Sequence, residues 1–432
     1  MVYTVSKRLE SHNKQGIMSF LGKCMLVFMI VYKNTPIVNY TFITSERVAI
    51  IILMIVIFFE NSFVLKFNKS YKANITWRKM LIFQSILLIY SLVLLALFGA
   101  GDGLTISEDI INFIIFATMA YYALTQIITS TDELMKILLV ISLFQSVIII
   151  LGLISSSFAN IIDSSIFNQN GVYWSYSYYR IKGYPGGIAC IAAKGVFQLS
   201  LGCIASYYFV QKKRKTFLYI CCFAVISLAM IAIARTGLLV TLIILVFILG
   251  DWNNINHKFT SIYVLIIFLI VGLFVATMIV DKATLHDSLS KNFSRLIDLK
   301  ERGIYDSFLK YYFHGSDTVI PSISVNTIIG TGITSGITGS GIIVNADGAF
   351  IRMYVAIGLP LAIIFYIILI KYMNRIRNSL INKSMRNVAL IFIILMLVGE
   401  FKEFYFYSRY MIVLYFVFAY LTEREQRMVS SE

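Results

Sequence analysis

Apolar stretches close to 20 residues long recur along almost the whole of this chain, and no other feature limits its fold so severely. A helix needs about 20 apolar residues to cross the ~30 Å hydrocarbon core of a bilayer. The backbone of such a segment must satisfy its own hydrogen bonds there, so the spans are read as helices. Only 14% of the residues are charged, against about 25% in soluble domains. The chain is read as an all-α polytopic membrane protein, a single integral membrane domain over residues 1–432. About twelve transmembrane helices are expected, at 17–32, 47–65, 80–99, 110–129, 133–157, 185–210, 216–234, 236–250, 261–280, 348–371, 387–401 and 404–421. The first is the weakest, because Lys23 interrupts it.

The formal charge of +15 does not point to nucleic acid. Most of the basic residues sit in short polar loops, as the positive-inside rule requires. Clusters follow the second span (Lys66, Lys69, Lys72, Arg78, Lys79), the sixth (Lys212, Lys213, Arg214, Lys215) and the tenth (Lys371, Arg375, Arg377, Lys383, Arg386). With both termini in the cytoplasm, all three clusters are cytoplasmic. The loop GAGDGLTISED, without Lys or Arg, then falls outside. So do two long loops at 158–184 and 281–346. The N-terminus lacks the pattern of a cleaved signal peptide and is expected to stay attached. The five cysteines all lie in apolar runs, so no disulfide framework is implied.

On this topology Arg180, Lys182, Arg235, Arg295, Arg302, Arg352, Lys402 and Arg409 lie outside or at outer helix ends. Arg352 is expected about one turn inside the tenth span. Arg295 and Arg302, like Lys402 and Arg409, are spaced to share one face of a helix. Asp298 offers a simple ion-pair partner to Arg295 and Arg302, and Arg180 and Lys182 fit a snorkelling role at the headgroups. As a set, however, outward positive charge runs against the sorting rule. Arginine matches phosphate bidentately, so a diphosphate or a lipid-linked sugar diphosphate suits these residues. Gly183 and Tyr184 follow Lys182, where glycine lets backbone approach a ligand closely. Asp347, Glu400 and Glu403 lie near the same face, as counter-ions to these cations or, for one of them, as a general base.

Other chemistries are poorly served. GTGITSGITGSG (Gly330–Gly341) lacks a preceding strand and lies outside, which argues against a nucleotide loop. A mobile loop covering substrate is expected there instead. The histidines have no metal-ligand spacing. Neither a metal nor a cofactor is expected.

With these residues in view, the chain resembles the bacterial O-antigen polymerases (the Wzy type), within the wider O-antigen ligase/polymerase superfamily. The resemblance is carried, in order, by RIKGYPGG, ARTGLLV, SRLIDLKERGIYDSF, IIGTG, NADGAFIRMYVAIGLPL and EFKEFYFYSR. It covers about residue 40 to the end. The family's loop arginines correspond to Arg180 and to Arg295 or Arg302. One departure is plain: a stricter pattern places Gly eleven residues after the loop Arg, and counted from Arg180 that residue is Ile191.

The resemblance implies a GT-C-like glycosyltransferase of the bacterial inner membrane whose two large loops are periplasmic. It implies the joining of undecaprenyl-diphosphate-linked repeat units into lipopolysaccharide O-antigen. Arg180, Arg235, Arg295, Arg302, Arg352, Lys402, Glu400 and Glu403 are then candidates for catalysis. Lys182, Gly183, Tyr184, Asp347 and Arg409 are candidates for binding the glycan. The implied partners are the lipid-linked glycan, membrane lipid, and the pathway's chain-length regulator and flippase. An O-antigen ligase, a lipid-linked oligosaccharide flippase and a non-enzymatic export scaffold are the alternatives.

Overall fold

The computed structural model describes residues 20–32, 45–59, 71–99, 101–155, 157–158, 192–212, 216–234, 236–250, 321–339, 341–344, 348–401, 405–408 and 410–431. They form thirteen helices and one small sheet. The helices are α1 (Phe20–Val31), α2 (Ser45–Phe59), α3 (Lys72–Phe98), α4 (Ile106–Ile127), α5 (Thr131–Ile154), α6 (Ala192–Gln211) and α7 (Thr216–Ile233). They continue with α8 (Thr236–Gly250), α9 (Val325–Ile329), α10 (Ala349–Ile357), α11 (Leu359–Ser379), α12 (Lys383–Glu400) and α13 (Tyr410–Ser431). Among the described residues, α3, α4, α5, α7 and α11 are long and apolar enough to cross a membrane. The protein is therefore a mostly helical membrane protein.

Exposed side chains agree with that environment. Ile82, Ile86, Ile89, Val93 and Leu97 form an exposed apolar stripe along α3, at the spacing of one helix face. By contrast, α13 is buried on every side from Tyr410 to Ala419, and α6 from Val196 to Tyr208. These two helices form the interior of the bundle.

Contacts sort the helix ends into two sets. At one end the polar tail of α13 braces two helix N-termini, where unpaired backbone N–H groups need acceptors. Glu423 accepts from the backbone N–H of Ala73 at 3.1 Å, and Glu425 from that of Thr131 at 2.6 Å. Glu423 also accepts from the Ser379 hydroxyl, and Ser384 bonds to Gln211. Lys212 pairs with Asp132. The described residues of all three basic clusters thus lie at one end of the bundle, here termed the basic end. Lys23 belongs near it too. Its ammonium meets Glu133 at 2.7 Å, with both side chains mostly buried, so the cation that interrupts α1 is neutralised by α5. Glu133 also accepts from the backbone and hydroxyl of Thr129.

The structure corrects two expectations. The tenth span, expected unbroken over 348–371, is two helices. Gly358, at φ +82°, ends α10 and starts α11. Its Cα packs so closely on the Ile328 and Ile329 carbonyls that a Cβ would lie 2.2 Å from the first. Arg352 is consequently not one turn inside a crossing helix; it lies on the separate short helix α10. The expected mobile loop at Gly330–Gly341 instead contains a strand. Strand β2 (Ile333–Ile337) is the middle of a three-stranded antiparallel sheet with β1 (Asp102–Thr105) and β3 (Ile343–Val344). Ile333, Thr334 and Ile337 are β-branched and suit a pleated surface. Gly336, at φ +106°, leaves β2 close against Asp102.

Smaller differences concern helix ends. α3 begins at Lys72 rather than 80, because a helix can continue past the bilayer into polar surroundings. α13 likewise runs to Ser431 on its polar tail. Among the described residues α1 runs over Phe20–Val31. The expected span at 261–280 lies outside the described residues.

Candidate functional site

The half of the bundle away from the basic clusters gathers three segments distant in sequence. The first is Ile328–Gly332. The backbone N–H groups of Thr331 and Gly332 donate to the Val355 and Ala356 carbonyls at 2.9 and 2.8 Å. The Thr331 hydroxyl donates to Val355 as well. These bonds satisfy the last carbonyls of α10, which a helix C-terminus leaves open, and fasten α10 to the segment that leads into β2.

The second segment is the start of α10. Gly348 lies against the Phe401 carbonyl, where a Cβ would come within 2.9 Å. The Phe350 ring packs on Phe401 at 4.7 Å and on Tyr366 at 4.4 Å between centroids. Arg352, one half-turn further along the same helix, is half-buried.

The third segment leads from α12 into α13. Glu400 is fully buried. Its Oε2 accepts from the Tyr366 hydroxyl at 2.8 Å, and its Oε1 accepts from the backbone N–H of Phe406. A buried carboxylate is tolerated when its oxygens are engaged in this way. One side chain thereby ties α11, the end of α12 and the 3₁₀ turn Phe406–Ser408 together. The turn is held by aromatic neighbours. Phe406 stacks on Phe113 at 4.8 Å and meets Phe365 edge-on at 5.1 Å. Tyr405 packs against Phe197 of α6, and its hydroxyl is bonded to that of Tyr410. Tyr407 donates to Gln84 of α3 at 2.8 Å. Phe113 opens a π-helical turn, Phe113–Ala117, inside α4, a local widening that often marks functional regions.

Of the candidate site residues, Arg352 and Glu400 are described, and they lie on neighbouring segments joined through Phe350, Tyr366 and Phe401. Arg180, Lys182, Gly183, Tyr184, Arg235, Arg295, Arg302, Asp347, Lys402, Glu403 and Arg409 lie outside the described residues. Asp347 precedes Gly348 in the chain, and Lys402 and Glu403 follow Phe401. Described residues flank Arg235 as well, with the Gly237 N–H donating to the Ala234 carbonyl at 2.9 Å between α7 and α8.

Tyr366, Gln84 and Phe350 join the site although they are not among the residues the sequence singles out. Gln84 offers a signal, since an amide inside an apolar span needs a partner. Tyr366 and Phe350 offer none beyond an aromatic residue in an apolar run. Chemically, the described assembly is a rigid polar-aromatic junction that fixes the chain on both sides of Lys402 and Glu403. Comparison of the chain with protein-family models, with curated proteins and with solved structures finds no match.

Proposed function

We propose that this protein is an O-antigen polymerase, a GT-C-like membrane glycosyltransferase of the bacterial inner membrane with about twelve spans, both termini cytoplasmic and its site on the periplasmic face. One observation carries most of the weight. Three of the segments that bear the resemblance, IIGTG, NADGAFIRMYVAIGLPL and EFKEFYFYSR, pack on one another through Thr331 and Val355, Gly348 and Phe401, and Phe350 and Phe401. They do so in the half of the bundle away from the basic clusters, the half that the positive-inside rule turns toward the outside.

On this reading the hydroxyl of an incoming lipid-linked repeat unit attacks the anomeric carbon of the growing chain. The new glycosidic bond forms, the bond to the lipid diphosphate breaks, and the acceptor proton passes to a base. Negative charge grows on the diphosphate as it leaves. Arg180, Arg295, Arg302 and Arg352, with Lys402, would stabilise that charge more in the transition state than in the ground state. Arg235 and Arg409 complete the positive rim. Lys182, Gly183, Tyr184 and Asp347 would hold glycan. Glu400, with both oxygens engaged, is assigned to positioning the Lys402–Glu403 segment. That leaves Glu403 as the better candidate for the base.

The surface glycan of a strain lacking this protein tests the proposal. A core bearing one repeat unit, restored to a ladder by the wild-type gene, supports polymerase. Long chains left on the lipid carrier point to a ligase, and single units trapped inside point to a flippase.

A further inference from the structure

We infer that residues Ile323–Gly332 form a segment that lies at bilayer depth and presents Ile323, Val325 and Ile328 to lipid acyl chains. Three contacts set its height along α3. Gly339 lies against the Phe98 carbonyl at the end of that helix. Gly332 lies against the side chain of Leu95 and the carbonyl of Ser91. Ile329 accepts from the Tyr90 hydroxyl at 2.5 Å. Read backwards from Gly339, the chain thus descends α3 turn by turn. Tyr90 is about 12 Å below Phe98 at 1.5 Å per residue. It sits between Ile86 and Val93, within the exposed apolar stripe that faces lipid. A segment level with the middle of that stripe shares its surroundings.

The side chains and the backbone both fit. Ile323 and Val325 are 73% and 69% exposed, and Ile328 and Ile329 are exposed as well. An apolar surface of this kind would be costly in water but matches hydrocarbon. Non-helical backbone survives at membrane depth only when its polar groups are satisfied. Here the start of α9 is closed by a reciprocal cap, with the Thr327 N–H donating to the Ser324 side chain and the Ser324 N–H to the Thr327 hydroxyl. Gly330 donates to Asn326, Thr331 and Gly332 donate to α10, and the Ile329 carbonyl takes the Tyr90 hydroxyl. The occupant of this face is therefore the acyl region of the bilayer, continuous with the lipid around α3. The inference needs only the membrane reading of the chain and holds whether or not the chemistry proposed above is correct.

The test uses wild-type protein in phosphatidylethanolamine/phosphatidylglycerol vesicles containing a phospholipid with a diazirine in its acyl tail. After irradiation, peptide mass spectrometry should find lipid adducts within 323–329 at a level comparable to Ile82–Leu97. Adducts on α3 with none on 323–329 would overturn the inference. A second measurement places spin labels at Val325→Cys and Ile328→Cys, with Ile89→Cys and Ile381→Cys as references, in a background lacking the five native cysteines. Oxygen should relax the first two labels more than a nickel chelate does, as at position 89 and opposite to position 381. Dominant nickel relaxation would show a water-facing segment. Exclusion of both relaxers would show cover by protein, such as a second copy. Either result rejects the assignment.

Discussion

The Tyr366 hydroxyl and the Glu400 carboxylate, on helices α11 and α12, are joined at 2.8 Å inside the bundle. Through its other oxygen Glu400 holds the backbone of Phe406, so one pair of residues controls how the chain leaves α12. Tyr366→Phe strands a buried acceptor and should cost about 1–3 kcal/mol. Glu400→Gln should cost a similar amount or more, because its amide cannot accept from both donors. Thermal unfolding in detergent should show both variants less stable than wild type. Tyr366→Phe should retain polymer-forming activity at permissive temperature if its role is positioning.

Lys23 and Glu133 give a second test. Removing either partner leaves a mostly buried charge, with an expected loss of about 2–3 kcal/mol after allowance for partial exposure. Lys23→Ala and Glu133→Ala should each lower the unfolding temperature, whereas exchanging the two residues should restore part of it. Equal stability of all four proteins would show that the pair does not fasten α1 to the bundle.

Gly358 and Gly341 separate backbone conformation from crowding. Both have positive φ, at +82° and +78°. Alanine at Gly341 meets no atom within 4 Å and should cost only the left-handed penalty of about 1–2 kcal/mol. Gly358, at ψ +156°, lies in a backbone region open essentially to glycine alone, and alanine there also collides with the Ile328 carbonyl. The yield of folded membrane protein should fall sharply for Gly358→Ala and little for Gly341→Ala.

Sidedness is tested independently of stability. Reporter fusions after Lys215 and after Arg377 should read cytoplasmic, and fusions within 281–320 should read periplasmic. A reversed pattern at either basic loop would move the candidate site to the wrong face of the membrane for this chemistry.

The positions of the long helices were legible because run length and hydropathy act through a single constraint, the thickness of hydrocarbon. The gathering of the three basic clusters at one end of the bundle was legible because charge acts through another. The break at Gly358 was not, since GLP within an apolar run reads as a continuous span until Ile328 and Ile329 are seen packed against it. The strand at Ile333–Ile337 was hidden by its glycines, which suggested a loop, while the partner that orders it, Asp102–Thr105, lies far away in sequence. Glu400 could be found from its sequence position, but its role could not. Its partner Tyr366 is 34 residues away, and nothing local distinguishes a carboxylate that takes a proton from one that closes a turn.

The central claim is bond formation between lipid-linked units, and a reconstituted assay measures it directly. Lipid-diphosphate-linked repeat unit, extracted from a strain lacking this protein, is mixed with purified wild-type protein in vesicles. Products are resolved by size beside those of Arg180→Ala. The account expects a ladder of chains from the wild-type protein, released lipid diphosphate in matching amount, and no ladder from Arg180→Ala at equal protein level. Units that remain single with the wild-type protein, in vesicles where the folded protein and its lipid substrate are both present, would contradict it.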